Sequence, residues 1–197
     1  MATIEHWEVT DEKEMWQKLV GHDAEDTLET RQQANVIFDG VSGGSCLEIG
    51  AGVGRLLLLA SHRFTSAIGI DYSRSMVQRS SVYLHDVLRA RVVLTDGLEF
   101  PFASNSFDFV YSFTCFQHMP TIEIVQANIR EIFRVLKDSG LCRVQTIHGE
   151  PNPYLYDGLA FPTAESFLQE FLDVGFSKQS AEVIEPWIWV TVKKRAK

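Results

Sequence analysis

The feature that most constrains this chain is a glycine-rich turn between an apolar run and a leucine-rich run. Residues 45–49 are mostly apolar and favour a buried strand, Gly50, Gly52 and Gly54 follow, and the leucine run then favours a helix. A second apolar run ends on Asp71, 21 residues after Gly50. This order, with a carboxylate at the end of the second strand, is typical of an α/β sheet that binds a nucleoside-containing cofactor at its carboxyl edge.

The spacing of these glycines distinguishes between two kinds of cofactor. Dinucleotide-binding folds use G-x-G-x-x-G where a helix N-terminus meets a pyrophosphate. This chain has G-x-G-x-G instead, and it carries Arg55 where the last glycine of the dinucleotide pattern would stand. Glu48 lies two positions before Gly50, and its carboxylate would repel a pyrophosphate but attract an ammonium or sulfonium group. The turn therefore favours a nucleoside joined to a cationic amino acid, and S-adenosylmethionine fits that description.

Hydrophobic periodicity predicts that strands and helices alternate after the first 40 residues. Two strand-like runs near the end, Phe176–Val183 and Trp187–Lys193, are separated by a connection too short for a parallel crossover, so they predict an antiparallel hairpin. Thr163 and Gly175 are suitable residues to begin and end the helix before it. The predicted helices are 10–20, 24–39, 54–62, 74–88, 121–136 and 164–174, and the remaining strands are 45–49, 66–70, 91–95, 107–112 and 140–147.

Motifs in chain order resemble those of the class I S-adenosylmethionine-dependent methyltransferases, in particular their small-molecule (type 11) branch. The resemblance runs from about residue 44 to 145, which makes it more specific than a single glycine turn. Asp138 and Ser139 depart from the proline and glycine that this family carries there, a change expected to be harmless. The matching segments are Glu48–Gly54, Asp71–Met76, Asp96–Phe102 with Asn105–Val110, Phe116–Pro120 and Ile132–Gly140.

The resemblance implies an α/β fold and an activity. The fold is a Rossmann-like, seven-stranded, mostly parallel sheet in the order 3-2-1-4-5-7-6, whose last strand is antiparallel, with helices on both faces. We expect one methyltransferase domain over residues 1–197, with residues 1–40 as an N-terminal helical cap and 41–197 as the catalytic core; 45% hydrophobic residues suffice for one such core. The implied activity is in-line methyl transfer from S-adenosylmethionine to a small-molecule acceptor, leaving S-adenosylhomocysteine.

The cofactor site follows from the same resemblance. Glu48 is expected at the methionyl end, Asp71 at the ribose hydroxyls and Asp96 at the adenine amino group, with the backbone of Gly97 and Leu98 at the ring edge. Each carboxylate also has a structural alternative: partner of a basic residue, helix N-cap and turn carboxylate, respectively. For Arg55 and Met76, structural roles are about as well supported as ligand contacts. The expected cofactor-binding residues are Glu48, Gly50, Ala51, Gly52, Gly54, Asp71, Tyr72, Met76, Asp96, Gly97, Leu98 and Thr114.

Two histidines are candidates for acid–base chemistry. His118, just after the fourth predicted strand, is the candidate general base, which is needed only if the acceptor must lose a proton. A histidine that braces the following helix is the alternative, and His148 at the end of the fifth strand is a second candidate. The acceptor is expected to contact the N-terminal cap and the long loop at 149–158. The residues named for these contacts are Trp7, Trp16, Arg31, His148, Tyr154 and Tyr156.

Charge and cysteine content argue against other classes. The net charge is −8, and residues 1–30, with nine acidic and two basic residues, hold −7 of it. No nucleic-acid partner is expected, because such binding requires a basic face. Three separated cysteines lack a metal-ligand spacing, so no metal is expected and the thiols suit a reducing cytoplasm. No membrane span is expected, since no apolar run approaches ~20 residues, and the N-terminus does not resemble a secretory signal.

Two alternative functions remain open. An NAD(P)-dependent oxidoreductase is disfavoured by the glycine spacing, by the C-terminal hairpin and by the lack of a Tyr-x-x-x-Lys pair. A cofactor-binding protein without activity, serving as the partner of another enzyme, would keep the same motifs. The sequence specifies neither the acceptor nor the oligomeric state, monomer or homodimer.

Overall fold

Seven strands form a single sheet. The strands are β1 (Ser45–Ile49), β2 (Ser66–Asp71), β3 (Ala90–Leu94), β4 (Phe107–Ser112), β5 (Leu136–Ile147), β6 (Phe176–Ile184) and β7 (Trp187–Lys194). In the computed structural model, which describes residues 28–150 and 159–196, their order is β3-β2-β1-β4-β5-β7-β6. β7 is antiparallel to β5 and β6, and the other neighbours are parallel. The predicted fold class is confirmed.

Five α-helices and one short 3₁₀ helix are present in the described part of the chain. They are α1 (Leu28–Ile37), α2 (Arg55–Ala60), α3 (Arg74–Tyr83), the 3₁₀ helix Phe116–His118, α4 (Ile122–Val135) and α5 (Ala164–Val174). The hydroxyl of Thr163 caps α5, and Gly175 ends it with φ 112°, as the sequence predicts.

Apolar side chains bury both faces of the sheet, so the helices lie in two layers. On one face α4 and α5 contribute Ile129, Ile132 and Phe167, which are fully buried. On the other face α1 and α2 contribute Ile37 and Leu57, which are buried equally well. The helices thereby fix the strands, and the carboxyl ends of β3, β2, β1 and β4 lie side by side at one edge.

The helix predicted at 74–88 is wrong at its C-terminal end. It stops at Tyr83 because the chain must turn to reach the start of β3. The turn is stabilised by two short-range hydrogen bonds, in which the N–H of His85 donates to the carbonyl of Val82 and the N–H of Val87 to that of Leu84.

The strand predicted at 140–147 begins earlier, at Leu136. It follows α4 directly, because Leu136 pairs with Phe107 of β4. Ser139, one of the two departures from the family pattern, has φ 64°, in the left-handed region that glycine adopts without cost.

The described part of the predicted N-terminal cap is α1, which two arginines tie to the core. Arg143 of β5 donates Nη1 to three carbonyls at the end of α1, those of Val36 (2.9 Å), Ile37 (2.8 Å) and Asp39 (3.2 Å). Arg55 of α2 donates Nη1 to Thr30 Oγ1 (2.6 Å) and Gln33 Oε1 (3.0 Å). Arg55 therefore serves a structural role here. The helix predicted at 10–20 lies outside the described residues.

Candidate functional site

The glycine-rich turn after β1 is closed on one side and open on the other. The N–H groups of Gly50 and Ala51 both donate to the carbonyl of Ile70, at 2.9 and 3.0 Å. Gly50 has φ 72°, and a Cβ there would overlap Sγ of Cys115. Gly52 has φ 55°, and a Cβ there would meet no atom within 4 Å. A ligand can therefore approach the backbone at Gly52, while Gly50 is required by its packing against Cys115.

Asp71, at the end of β2, joins the glycine turn to the next loop. Its Oδ2 accepts from the N–H of Gly52 at 2.8 Å, and its Oδ1 accepts from the N–H of Ser73 at 2.9 Å. Ser73 is the N-cap of α3, so Asp71 does not cap that helix, which was its structural alternative. Each carboxylate oxygen has a second lone pair. Asp71 can therefore hold both loops and still accept hydrogen bonds from ribose hydroxyls.

Glu48 is a buried carboxyl group in β1, only 3% exposed. Its Oε2 accepts from the hydroxyl of Tyr111 at 3.1 Å, and Tyr111 lies opposite it in the register of β1 and β4. Burial raises the pKa of Glu48 to about 8; the bond from Tyr111 and the charge of Arg55 oppose this rise, and the charge of Asp71 adds to it. A cationic ligand group nearby would favour the ionised carboxylate, because it would compensate the buried charge.

Asp96 follows β3 and organises the loop after it. Its Oδ1 accepts from the N–H groups of Leu98 and Glu99, at 2.9 and 3.0 Å. Both bonds lower the pKa of this exposed carboxyl group, and the bond from Glu99 has the larger effect. Tyr72, 38% exposed, and Leu98, 46% exposed, offer apolar surface, and a Cβ at Gly97 would lie 4.0 Å from Cβ of Tyr72. An apolar surface beside a carboxylate suits a flat base with an exocyclic amino group.

Thr114, just after β4, has an unusual backbone held by a buried amide. Its φ is 52°, which is rare for a β-branched residue, and its N–H donates to Oε1 of Gln145 at 2.9 Å. Gln145 is fully buried in β5, and its Nε2 has no hydrogen-bond partner among the described residues. Such strain persists only when the surroundings impose it, and it is concentrated at functional sites.

The two candidate histidines differ in their surroundings. His118 is half-buried at the end of the 3₁₀ helix, and its backbone N–H donates to the carbonyl of Cys115 at 2.9 Å. His148 lies with Nδ1 2.9 Å from Oε1 of Glu185 and Nε2 3.2 Å from the carbonyl oxygen of Pro162. His148 therefore links the hairpin turn to the chain before α5, which is a bracing role. The role of His118 as general base stays a prediction.

The expected cofactor residues come together, whereas the expected acceptor residues are only partly described. Glu48, the glycines, Asp71, Asp96 and Thr114 all lie at the carboxyl ends of four adjacent strands. Met76 is 3% exposed in the core, in keeping with its structural alternative. Arg31 is exposed on α1. The other acceptor residues named from the sequence, Trp7, Trp16, Tyr154 and Tyr156, lie outside the described residues.

Sequence reasoning missed Tyr111 and Gln145, although both bond to expected site residues. Tyr111 meets Glu48 only because β1 and β4 pair in a particular register, and Gln145 reaches Thr114 from 31 positions away. The available signal is a tyrosine inside the strand predicted at 107–112, because a hydroxyl that the strand buries requires a partner.

The fold and the site together define a Rossmann-like α/β protein whose expected cofactor residues meet at the carboxyl edge of its sheet. The family model of the methyltransferase domain matches residues 47–144, and the chain belongs to this family. The matched region extends from the middle of β1 through most of β5, and it includes every described strand end that carries an expected cofactor residue.

Two curated methyltransferases are similar over this region. Phosphoethanolamine N-methyltransferase 2 of Caenorhabditis elegans is 33% identical over 111 residues, which are 55% of this chain and 24% of that protein. 24-methylenesterol C-methyltransferase 2 of Arabidopsis thaliana is 36% identical over 104 residues, which are 50% of this chain and 28% of that protein. The match thus spans about a quarter of the length of these relatives.

Solved structures share the fold at low sequence identity. Phosphoethanolamine N-methyltransferase 2 of Haemonchus contortus, in complex with phosphomonomethylethanolamine and S-adenosylhomocysteine, has a TM-score of 0.71 at 19% identity and covers 84% of this chain and 53% of that chain. The [4+2]-cyclase SpnF has a TM-score of 0.70 at 17% identity and covers 85% and 81%. The likeness concerns the fold alone, and the fold is shared by a protein named for a different reaction.

Two further properties concern the described residues only. No helix among them is long and apolar enough to cross a membrane. Within the same ranges, 28–150 and 159–196, no group of three or more His, Cys, Asp or Glu side chains is arranged to hold a metal ion.

Proposed function

We propose that this chain binds S-adenosylmethionine and transfers its methyl group to a small-molecule acceptor. The observation that carries the proposal is the placement of Glu48, Asp71 and Asp96 at the ends of three adjacent parallel strands around an open glycine turn. The three carboxyl groups match the three polar parts of the cofactor in order: the cationic methionyl end, the ribose hydroxyls and the adenine amino group.

The residues of the chain act mainly by orientation. Asp71 would hold the ribose while it fixes the turn at Gly52. Glu48 would compensate the cationic amino-acid part, and Thr114 would present its strained backbone at the same end. When bound, the cofactor would supply an activated methyl group: an acceptor lone pair bonds to the methyl carbon as the C–S bond breaks, and the bond's electron pair leaves the sulfur as a neutral thioether. Alignment and exclusion of water are then the main tasks of the protein.

The acceptor side is supported by fewer observations. His118 lies at the carboxyl edge of β4 and is half-buried, so it could take a proton from an acceptor that must lose one. Relatives named for phosphoethanolamine and for sterols support a small molecule as the acceptor class.

The proposal includes a single domain and a reducing, cytoplasmic setting. In that setting the free thiols of Cys46, Cys115 and Cys142 persist. Burial raises the pKa of Cys115 to about 12, which keeps its side chain a thiol.

Calorimetric titration with S-adenosylhomocysteine and with NAD tests the cofactor. We expect saturable binding of S-adenosylhomocysteine and none of NAD. Binding of NAD without S-adenosylhomocysteine would overturn the proposal in favour of an oxidoreductase.

A second experiment tests catalysis. The protein is incubated with methyl-labelled S-adenosylmethionine and a panel of amines, phenols, carboxylic acids and sterols, and label in the acceptor is counted. We expect transfer to at least one class. Tight cofactor binding with no transfer to any member would favour the non-catalytic cofactor-binding partner, the alternative that shares every cofactor motif.

A further inference from the structure

Three polar side chains on α4 bind the backbone of the loop after Asp96. Asn128, Glu131 and Arg134 are spaced three residues apart, so they are neighbours along one side of the helix. We call them the α4 polar stripe. All three contact residues 97–102, which lie about 30 positions earlier in the chain.

The first contact of the stripe is made by a buried amide. Asn128 is 2% exposed, and its Nδ2 donates to the carbonyl of Gly97 at 2.9 Å and to that of Ile124 at 3.0 Å. The second bond is within α4 itself, so it fixes the side chain on its own helix. The amide is therefore oriented before it meets the loop.

The other two contacts form a charged clamp. Glu131 Oε2 accepts from the N–H of Phe100 at 2.7 Å. Arg134 donates Nη2 to the carbonyl of Phe100 at 2.9 Å and Nη1 to that of Phe102 at 2.7 Å. Arg134 also donates Nε and Nη2 to the two carboxylate oxygens of Glu131, both at 2.6 Å. A bidentate pair of this kind is geometrically rigid.

The bond from Asn128 also fixes the direction of the next N–H group. The carbonyl of Gly97 and the N–H of Leu98 belong to one planar trans peptide, so they point in opposite directions. Holding the carbonyl toward α4 therefore directs the Leu98 N–H away from α4. It donates to Oδ1 of Asp96 at 2.9 Å. Asp96 and Leu98 are the residues proposed to meet the adenine ring.

We propose that the α4 polar stripe sets the purine selectivity of the cofactor site, with Asn128 as a positioning residue that orients the Gly97–Leu98 peptide. This inference rests on the proposed binding of S-adenosylmethionine. The Leu98 N–H is engaged by Oδ1 of Asp96, so the peptide acts by holding that carboxylate in place to accept from the adenine amino group. Hypoxanthine carries an oxygen in place of the amino group, so it mismatches the carboxylate only while Asp96 is correctly held.

The test compares the dissociation constants of S-adenosylhomocysteine and S-inosylhomocysteine by calorimetry in three proteins. Asn128→Leu keeps the side-chain size but removes the donor. Gln126→Leu is the matched control, because Gln126 lies on the same helix but donates to Oε2 of Glu170 on α5 at 2.9 Å. We expect wild type and Gln126→Leu to prefer the adenosyl ligand, and Asn128→Leu to bind it about tenfold more weakly with most of the preference lost.

Equal affinity in Asn128→Leu, or a loss of the same factor for both ligands, would overturn the inference, because a merely structural role weakens both ligands alike. If Asn128→Leu does not fold, Asn128→Ser is measured in its place, with the same expectation and the same contrary results. A wild-type protein that binds neither ligand would instead contradict the proposed function.

Discussion

The hydroxyl of Tyr111 donates to Oε2 of Glu48 at 3.1 Å, and both side chains are buried in the sheet. The ring of Tyr111 is itself fixed by aromatic neighbours: it meets Phe38 edge-on with centroids 5.1 Å apart and stacks on Phe109 at 5.6 Å. The packing of Tyr111 in the core thus fixes the position of Glu48, the residue proposed to lie at the methionyl end of the cofactor. Its protonation depends on the hydrogen bond from Tyr111, which lowers the pKa of the glutamate.

The raised pKa of Glu48 predicts that cofactor affinity depends on pH. Below about pH 8 the empty site holds a mostly neutral carboxyl group, and a cationic ligand must displace its proton. Affinity for S-adenosylhomocysteine should therefore rise from pH 6 to 8 and then level off, with proton release seen as a dependence of binding enthalpy on buffer. In Glu48→Gln the affinity at pH 8 should be lower than in wild type, and the rise of affinity from pH 6 to 8 should be absent. If affinity still rises with pH in Glu48→Gln, another titrating group causes the pH dependence.

The same group predicts that stability falls as pH rises. The pKa of Glu48 is 4.5 in the unfolded reference and about 8 in the fold, so between these values the folded state binds more protons than the unfolded state. Its contribution to the free energy of unfolding is complete below pH 4.5 and is lost as the pH rises through 8. Urea unfolding from pH 5 to 8 should show this fall in wild type and a weaker one in Glu48→Gln. Parallel profiles would contradict the prediction.

Tyr111→Phe isolates the hydrogen bond from the packing of the ring. Losing one bond to a buried carboxyl group should reduce the free energy of unfolding by about 1 kcal/mol. Because the bond lowers the pKa of Glu48, its removal should shift the pH profile of cofactor binding toward higher pH. Phe109→Leu is a control that disturbs the aromatic stack without removing the bond, and its pH profile should match wild type. An unshifted Tyr111→Phe profile would uncouple the two residues.

Asp71 has two roles that substitutions can separate. Asp71→Ala removes the acceptor for Gly52 and Ser73 and the proposed ribose ligand together, so it should lower stability and weaken S-adenosylhomocysteine binding by ~1–3 kcal/mol each. Asp71→Asn keeps one oxygen acceptor and should lose less stability, while affinity still falls. Calorimetry and chemical unfolding measure the two effects. Unchanged affinity in both variants would show that Asp71 does not bind the ribose.

Ser139 predicts a stabilising substitution. It has φ 64°, a conformation that costs a non-glycine residue about 1–2 kcal/mol, whereas glycine loses about 0.5–1 kcal/mol more entropy on folding. Ser139→Gly should therefore raise the free energy of unfolding by about 0.5–1 kcal/mol in a denaturant titration. Ser139→Ala keeps the Cβ and should bring no gain. Equal stability of the glycine and alanine variants would mean that the backbone carries no strain there.

The hydrogen bonds from Arg143 to the end of α1 predict how much this residue contributes to the free energy of unfolding. Its Nη1 bonds to the carbonyls of Val36 and Ile37 at the end of α1 and of Asp39 just beyond it, and charged donors at a helix C-terminus stabilise by up to about 2 kcal/mol. Arg143→Leu should lose about that amount in urea unfolding, and Arg143→Lys, which keeps the charge but not the planar fork, should lose less. A full loss in the lysine variant would show that geometry outweighs charge.

Much of the fold could be predicted because its signals are local. The amphipathic run of α4, the cap at Thr163 and the short turn before Trp187 each depend on neighbouring residues, and all three were located correctly. The start of β5 was wrong because Leu136 belongs to the strand only through its pairing with Phe107. Local pattern carries no information about that pairing.

The site divides in the same way. Glu48, Asp71 and Asp96 could be found because each lies at or near the end of a recognisable strand, and their proposed ligand contacts stay predictions. The partners of Tyr111 and Asn128 could not be predicted, because these contacts depend on strand register and on how a helix packs over a loop. Residues that only support the site residues, through contacts from the core or from a packed helix, leave little trace in the sequence pattern.

The hairpin that completes the sheet also determines how its outer edge meets solvent. β6 is one of the two edge strands of the sheet, its register shifts between Lys178 and Ser180, and Lys178, Gln179 and Glu182 are exposed along it. A bulged, charged edge is a poor template for a further strand. We expect this border of the protein to resist the edge-to-edge pairing that leads open sheets to aggregate at high concentration.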